Sequence, residues 1–528
     1  MGFIQVSKKH WGFEDSQTGE PFVPIGANHC GVMAAIEDGG YCGCVFHLFG
    51  NDEDTAKTGV EEAARAFERM ADLGLNVARM WVEPNDFFPV GYRLDPVSAE
   101  KFDRLLDAAR KSGIRVSLGM HLTPHTSGWK IHNFEPPHDQ RLLEHLYLMG
   151  QRWGNDDQIF SWTIIGEGTL PWNTPYLRSQ WSTWLRYWYN ETLDDLRKAW
   201  GKDVTVKSFN EAPVPPENIG RKLGLAHVVP GKLDQLPKDE WANSTWRYDW
   251  RLFMDEIGSS RVAREVRMLR SCGAKQMITV GNNSWTFPNL PAGQMATGYN
   301  PYFYIDYVDY LCLHNYPMPQ CLDGASGDPL DSEEAMQSWL SANDAMGRIC
   351  TSLGKPVILE EWGWYGGGEA PGLGVTMKHR SEEDQLRYCD RIMETSQHTY
   401  SGWMNWLWRD MPKAADLSRL SGLYAADGNR VKPWGKRYAE WAAKLKKNPP
   451  QLLPAKKTVE MKMKSLYTSD LDHETWWIEV CRDYQKNGPY DFKQVYERKP
   501  LTIVDTDMTG KKIKREKPIE TPMGVREN

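Results

Sequence analysis

Ser161-Trp162-Thr163-Ile164-Ile165-Gly166-Glu167 and Lys355-Pro356-Val357-Ile358-Leu359-Glu360-Glu361-Trp362-Gly363 are two apolar runs that each end in a carboxylate. Short apolar runs bounded by Gly or Pro read as buried strands. A glutamate at the end of such a strand puts an expensive charge at the rim of a core, where it needs a partner or a task. Outward from these two, the chain up to Trp408 yields eight such runs: Phe22 to Asn28, Leu75 to Trp81, Arg115 to His121, Phe160 to Glu167, Gln276 to Asn283, Val308 to His314, Pro356 to Glu361 and Gly402 to Trp408. Amphipathic helical stretches such as Val60 to Leu73, Ala99 to Ser112, Trp250 to Cys272 and Glu382 to His398 lie between them. Eight strand–helix units predict an α/β chain closed into a (β/α)8 TIM barrel. An open doubly wound sheet would need a phosphate-binding turn, and no G-x-G-x-x-G stands between an early strand and a helix.

Polar and catalytic-type residues end nearly all of these runs, while their N-terminal ends are plain. Barrel enzymes place their sites on the C-terminal rim, so one pocket is expected to gather these side chains. Two carboxylates there invite an acid/base and a nucleophile acting on a glycosidic bond. The structural alternative for either glutamate alone is a salt bridge, just as a lone Arg79 reads as an ion-pair partner and a lone His121 or His314 as a satisfied core residue. Neighbouring strand residues face opposite ways, so only one of Glu360 and Glu361 is expected to look into the pocket.

With 528 residues, 41% of them hydrophobic, the chain can bury a large core. No run is long and apolar enough to span a bilayer, and the first residues carry neither an apolar signal region nor a cleavage site. No membrane association is expected, and the location reads as cytoplasmic, or secreted if the start has been processed. A net charge of −7 with no basic, aromatic-interleaved block argues against a nucleic-acid partner. The nine cysteines contain no metal-type CxxC pair, and the one close pair, Cys42 and Cys44, is poorly spaced for zinc. Reduced thiols and no metal are expected. The chain carries 24 tryptophans; most must be core, but those at strand ends suit the C–H faces of sugar rings.

The interval between the fourth and fifth runs is by far the longest, which marks an insertion at 171–240. Trp181 to Trp200 has apolar residues at helical spacing, and Pro213-Val214-Pro215-Pro216 breaks the chain into an extended loop. It is expected either as a lobe over the rim or packed outside the barrel. The barrel then spans 1–447 and a C-terminal extension 448–528, after the break at Asn448-Pro449-Pro450. That extension could wrap the barrel, add strands or contact another subunit, so a homo-oligomer is open. Its end, from Lys511 to Asn528, is polar enough to be disordered.

The rim residues resemble retaining glycoside hydrolases of clan A, nearest to family 5, over residues 20 to 445. The resemblance rests on Asn76-Val77-Ala78-Arg79, Ser117-Leu118-Gly119-Met120-His121, Glu167, His314-Asn315-Tyr316, Glu361-Trp362-Gly363 and Trp406 within Gly402-Trp403-Met404-Asn405-Trp406. It implies that Glu361 is the nucleophile, held ionised by Arg79 and hydrogen-bonded by Tyr316. It implies that Glu167 is the acid/base, expected to lack a cation and to sit against Trp162 or the sugar. His121, His314, Trp362 and Trp406 would bind substrate, a β-linked glycoside or oligosaccharide, with no metal or cofactor. An endo-acting glycanase and a non-catalytic carbohydrate-binding barrel are the alternatives. The insertion, with Trp181-Ser182-Thr183-Trp184-Leu185-Arg186-Tyr187-Trp188 and Ala199-Trp200-Gly201, is similar to family 42 β-galactosidases, which implies exo action. One departure stands out: the residue before the acid/base is normally an asparagine that binds the sugar 2-hydroxyl, and here it is Gly166. Asn282 and Asn283, ending the fifth run, are the expected replacements.

Overall fold

The computed structural model describes residues 2–29, 59–82, 84–89, 93–120, 138–168, 170–216, 240–283, 298–317, 328, 330–371, 376–414, 416–497, 501–506 and 512–517. Eight parallel strands, Ile25–His29, Val77–Val82, Arg115–Met120, Ile159–Gly166, Met277–Asn283, Leu311–His314, Val357–Trp362 and Gly402–Asn405, close in chain order into a barrel. The eighth pairs with both the seventh and the first. The expected (β/α)8 barrel is therefore the fold, with each expected run supplying one strand. The helices between them have local stop and start signals. Pro96–Ser112 starts on Asp95, whose side chain accepts from the Ser98 amide, and ends on Gly113 at φ 69°. Glu382–Ser396 starts on a reciprocal Ser381–Asp384 capping box.

The barrel interior is graded along its axis. At the N-terminal end, a small antiparallel sheet of Ile4–Val6, Phe13–Asp15 and Pro21–Phe22 plugs the opening. Its Ile4 and Phe13 pack on Val77, Phe160, Met277, Tyr310, Ile358 and Met404, with Phe13 edge-on to Tyr310 at 5.5 Å. Above this apolar layer sit hydroxyls: Ser117 Oγ lies 3.0 Å from Ser161 Oγ, which also accepts from Tyr310 at 2.9 Å. Above them the C-terminal rim carries the charged groups, so the apolar floor and hydroxyl layer support the site from below.

The helix Thr245–Ser271 between the fourth and fifth strands has 27 residues, a length of about 40 Å. The insertion helices Pro175–Trp188 and Leu193–Trp200 dock on its first half. Trp181, Trp184 and Trp188, spaced to share one helix face, stack at 5.3 and 4.8 Å. Trp184 donates to Glu256 at 2.7 Å and Trp200 to Asp249 at 2.8 Å. The described part of the insertion packs on the rim-proximal half of that helix, and much of the tryptophan excess serves that packing.

The C-terminal extension packs on this long helix and on the helix Glu333–Thr351 that precedes the seventh strand. Tyr467 donates to Asp255 at 2.5 Å, Tyr484 to Asp344 at 2.6 Å, and the Phe492 amide to Ser352 at 2.9 Å. Lys512–Lys517, inside the segment expected to be disordered, pairs antiparallel with Leu501–Thr506. Pairing satisfies its backbone despite the polar composition. Among the described residues no helix is long and apolar enough to cross a membrane, and Cys272, Cys312, Cys350, Cys389 and Cys481 are free thiols.

Candidate active site

Arg79, on the second strand, is fully buried. Its Nη1 donates to Glu361 Oε1 at 2.5 Å and to Asn28 Oδ1 at 2.7 Å, and its Nε lies 3.3 Å from Glu360 Oε2. Tyr316 donates to the other Glu361 oxygen at 2.9 Å. The seventh-strand carboxylate at the rim is therefore held from both sides by donors. Asn28 also donates to the Glu360 carbonyl at 3.0 Å, so the end of the first strand fixes both the arginine and the strand that carries the glutamates.

Glu167 follows the fourth strand at φ 48°, a left-handed conformation that costs a residue with a Cβ about 1 kcal/mol or more. Its amide donates to the Gly281 carbonyl at 2.9 Å, which holds that turn. Its Oε1 lies 2.8 Å from His314 Nδ1. His314 is thus the hub of the site: its Nε2 lies 3.0 Å from Glu360 Oε2 and its Nδ1 3.3 Å from Glu361 Oε1. Burial alone would lower its pKa, but the charge of Glu361 and the hydrogen bonds to Glu167 and Glu360 outweigh burial and the repulsion of Arg79 and raise it to about 9. An imidazolium that donates from both nitrogens follows. Gly281 makes room for it, since a Cβ there would come within 3.1 Å of the ring.

Several expectations are corrected by this geometry. Glu360 and Glu361 do not face opposite ways: the register of the seventh strand shifts between Leu359 and Glu361, and this bulge turns both side chains inward. Glu360 lies deeper, accepting from Thr163 at 3.0 Å. Burial pushes its carboxyl up, but Arg79 and His314 overcome that and hold it at about 2. Trp362 then points outward, fully buried against Trp434 and Tyr438 at 5.2 and 5.6 Å, and so lies behind the strand and not in the pocket. Asn282 is likewise turned away, donating to the Val280 carbonyl at 3.2 Å and accepting from Tyr304 at 2.8 Å. Trp162 packs outside the barrel with its indole N–H on Gln276 at 3.0 Å, so Glu167 does not rest on it. Nor does Glu167 lack a cation, because His314 is beside it. His121 and the Asn283 side chain lie outside the described residues. Trp406 clusters with Trp81 and the partly buried Tyr316, its N–H donating to Ser418 at 2.8 Å.

Sequence reading missed Asn28, Glu360 as an inward group, and Trp81. Trp81 had a signal: it lies two residues after Arg79 on one strand, hence on the same face. Its ring carries the Arg79 guanidinium at 4.2 Å from the centroid.

Glu167, His314 and Glu361 offer ligand atoms within 4.8 Å of one another, a donor set that could suit a divalent ion. Its fit is poor. A protonated imidazole has no lone pair to give, and Glu361 already faces a guanidinium.

The profile of a glycoside hydrolase family 42 β-galactosidase matches residues 133–363, a stretch that holds both glutamates. No curated protein matches by sequence. Among solved structures, the chain is similar to a β-galactosidase from the psychrophilic Marinomonas ef1, at TM-score 0.59 and 13% identity over 82% of this chain and 68% of that one. It is similar to a family 5 subfamily 18 protein from Streptomyces cattleya in complex with Man-β-1,4-GlcNAc, at TM-score 0.53 and 12% identity over 82% and 89%. It is also similar to an exo-β-1,4-mannosidase from Opitutaceae bacterium strain TAV5, at TM-score 0.53 and 14% identity over 93% and 72%. In fold, site and profile match the chain is similar to clan A glycoside hydrolases. Within that class the chain resembles families 5 and 42.

Proposed function

We propose that the protein is a retaining β-glycosidase that removes a terminal β-linked sugar, with a galactoside or a mannoside as the first candidates. The observation that carries this is the pair of glutamates with oxygens no more than 4.8 Å apart, in contrast environments. Retaining pairs stand about 5–5.5 Å apart, whereas inverting pairs leave about 6.5–9.5 Å for a water. Glu361, between Arg79 and Tyr316, is the nucleophile that attacks the anomeric carbon. Glu167, the more exposed of the two, is the acid that gives its proton to the departing oxygen. In the second half, Glu167 takes a proton from water as that water breaks the glycosyl–Glu361 ester.

Three carboxylates face two cations here, Arg79 and His314, and the departing oxygen needs a proton. The Glu167–His314 pair, at the open side, is where that proton can reach a leaving oxygen. Removal of single terminal sugars is supported by the likeness to proteins described as β-galactosidases and an exo-β-1,4-mannosidase. A panel of aryl β-glycosides (galactoside, mannoside, glucoside, fucoside and N-acetylglucosaminide), with NMR of the anomer first released, tests the reading. Release of the β anomer is expected. The α anomer would refute retention, oligosaccharides released from a polymer would mean endo action, and no turnover would favour a binding barrel.

A further inference from the structure

Gly166 has no room for a side chain. A Cβ there would lie 1.9 Å from Trp81 Cη2 and 2.6 Å from its Cζ3. Gly119, paired with Trp81 in register, is closed by the same ring, its Cβ coming within 2.5 Å of Cε3 and 2.6 Å of Cδ2. The indole of Trp81 therefore lies across the third and fourth strands in a slot that two glycines keep open. It is held in place: Arg79 covers one face, Trp406 and Leu407 share its cluster, and only 4% of it is exposed. Its six-membered ring ends at the residue preceding Glu167, where the resemblance to family 5 implies an asparagine amide. Asn282, the replacement expected from sequence, is engaged behind its strand.

Resting on the glycosidase reading above, we propose that Trp81 is the specificity-determining residue at sugar C2, substituting an aromatic C–H surface for a side-chain amide. The substrate class it selects is a β-glycoside bound without a side-chain amide contact from this strand to the 2-hydroxyl. An enzyme of this design tolerates 2-deoxy sugars, because removal of the 2-hydroxyl leaves no buried amide unpaired.

The test is kcat/KM for an aryl β-glycoside and its 2-deoxy analogue in wild type, Trp81→Phe, Trp81→Ala, Gly166→Asn and the Trp81→Ala/Gly166→Asn double variant. Wild type and Trp81→Phe are expected to lose less than about tenfold with the 2-deoxy sugar. Gly166→Asn alone is expected to lose activity on both substrates and to unfold at lower temperature, because the new side chain meets the indole. In the double variant the amide has room, and the parent/2-deoxy ratio should rise about tenfold or more over Trp81→Ala. A structural filler would leave that ratio unmoved. A wild-type loss of about a thousandfold would overturn the proposal while leaving the glycosidase reading intact. Turnover of neither sugar, nor of any aryl β-glycoside, would overturn both. A melting cycle serves as the second measurement: Gly166→Ala should lower the midpoint strongly beside Trp81 and little beside Trp81→Ala. Equal effects in both backgrounds would refute the slot.

Discussion

Arg79→Leu is the perturbation whose size the site itself sets. The guanidinium is fully buried and meets Glu361, Asn28, Glu360 and His314 at 2.5, 2.7, 3.3 and 3.2 Å. Leucine keeps the apolar stem but leaves Glu360 and Glu361 sharing one cation. Glu360 is held at about 2 in place of its ordinary 4.5, which corresponds to roughly 3 kcal/mol of charge stabilisation at neutral pH. Breaking a buried pair by removing one partner costs about 3–5 kcal/mol, in agreement. The sign follows from the depressed pKa: this contribution is fully present above pH 4.5 and is lost as the pH falls towards 2. Arg79→Leu should therefore be less stable than wild type by about 3 kcal/mol at pH 7, the gap narrowing below pH 4.5. Urea unfolding at pH 7 and pH 3 measures it, and Arg79→Leu/Glu360→Gln should recover part of the loss. A gap under about 1 kcal/mol at pH 7, or one that widens on acidification, refutes the assignment of Arg79 as the counter-ion of this cluster.

Glu361→Gln should fold normally and lose about a thousandfold or more in kcat, since an amide cannot form the glycosyl ester; near-normal turnover would rule out Glu361 as nucleophile. Glu167→Ala should slow substrates with poor leaving groups far more than activated aryl ones, with azide restoring the latter; equal losses and no azide effect would remove it from the acid/base role. Tyr316→Phe deletes one hydrogen bond to a carboxylate, about 1.5–3 kcal/mol, so kcat/KM should fall roughly 10- to 100-fold with unchanged melting. His314, raised from 6.5 to about 9, contributes stability that is full below pH 6.5 and is lost as the pH rises through 9. The alkaline limb of kcat/KM should lie near pH 9 and move to lower pH in Glu360→Gln, which takes away a carboxylate partner of Nε2; an unmoved limb would separate Glu360 from His314.

The barrel was legible because each strand is a short apolar run with a polar end, and the eight runs from Phe22 to Trp408 each yielded one strand of the closed sheet. Arg79, Glu167, His314, Tyr316 and Glu361 were legible by their order along the strand ends, and the structure brings these five together. What failed was the assumption of strict alternation. The bulge in the seventh strand lets Glu360 and Glu361 share the interior and sends Trp362 to the helix layer, and nothing in Leu359-Glu360-Glu361-Trp362 announces a bulge. Gly166 was noticed as a missing amide, but its cause lies two strands away in the reach of the Trp81 indole, a contact that only the packed side chains reveal. The helical spacing of Trp181, Trp184 and Trp188 gave the helix but not its partner, the long helix Thr245–Ser271, because burial of one face does not name what covers it.

Trapping the intermediate tests the central claim most directly. A β-configured fluorosugar with an activated leaving group, matched to the sugar found in the glycoside panel, should stop turnover with a burst of one leaving group per chain. Peptide mass spectrometry should then find the sugar esterified to Glu361. A sugar on Glu360 or another residue, or release of the inverted anomer with no adduct, would contradict it.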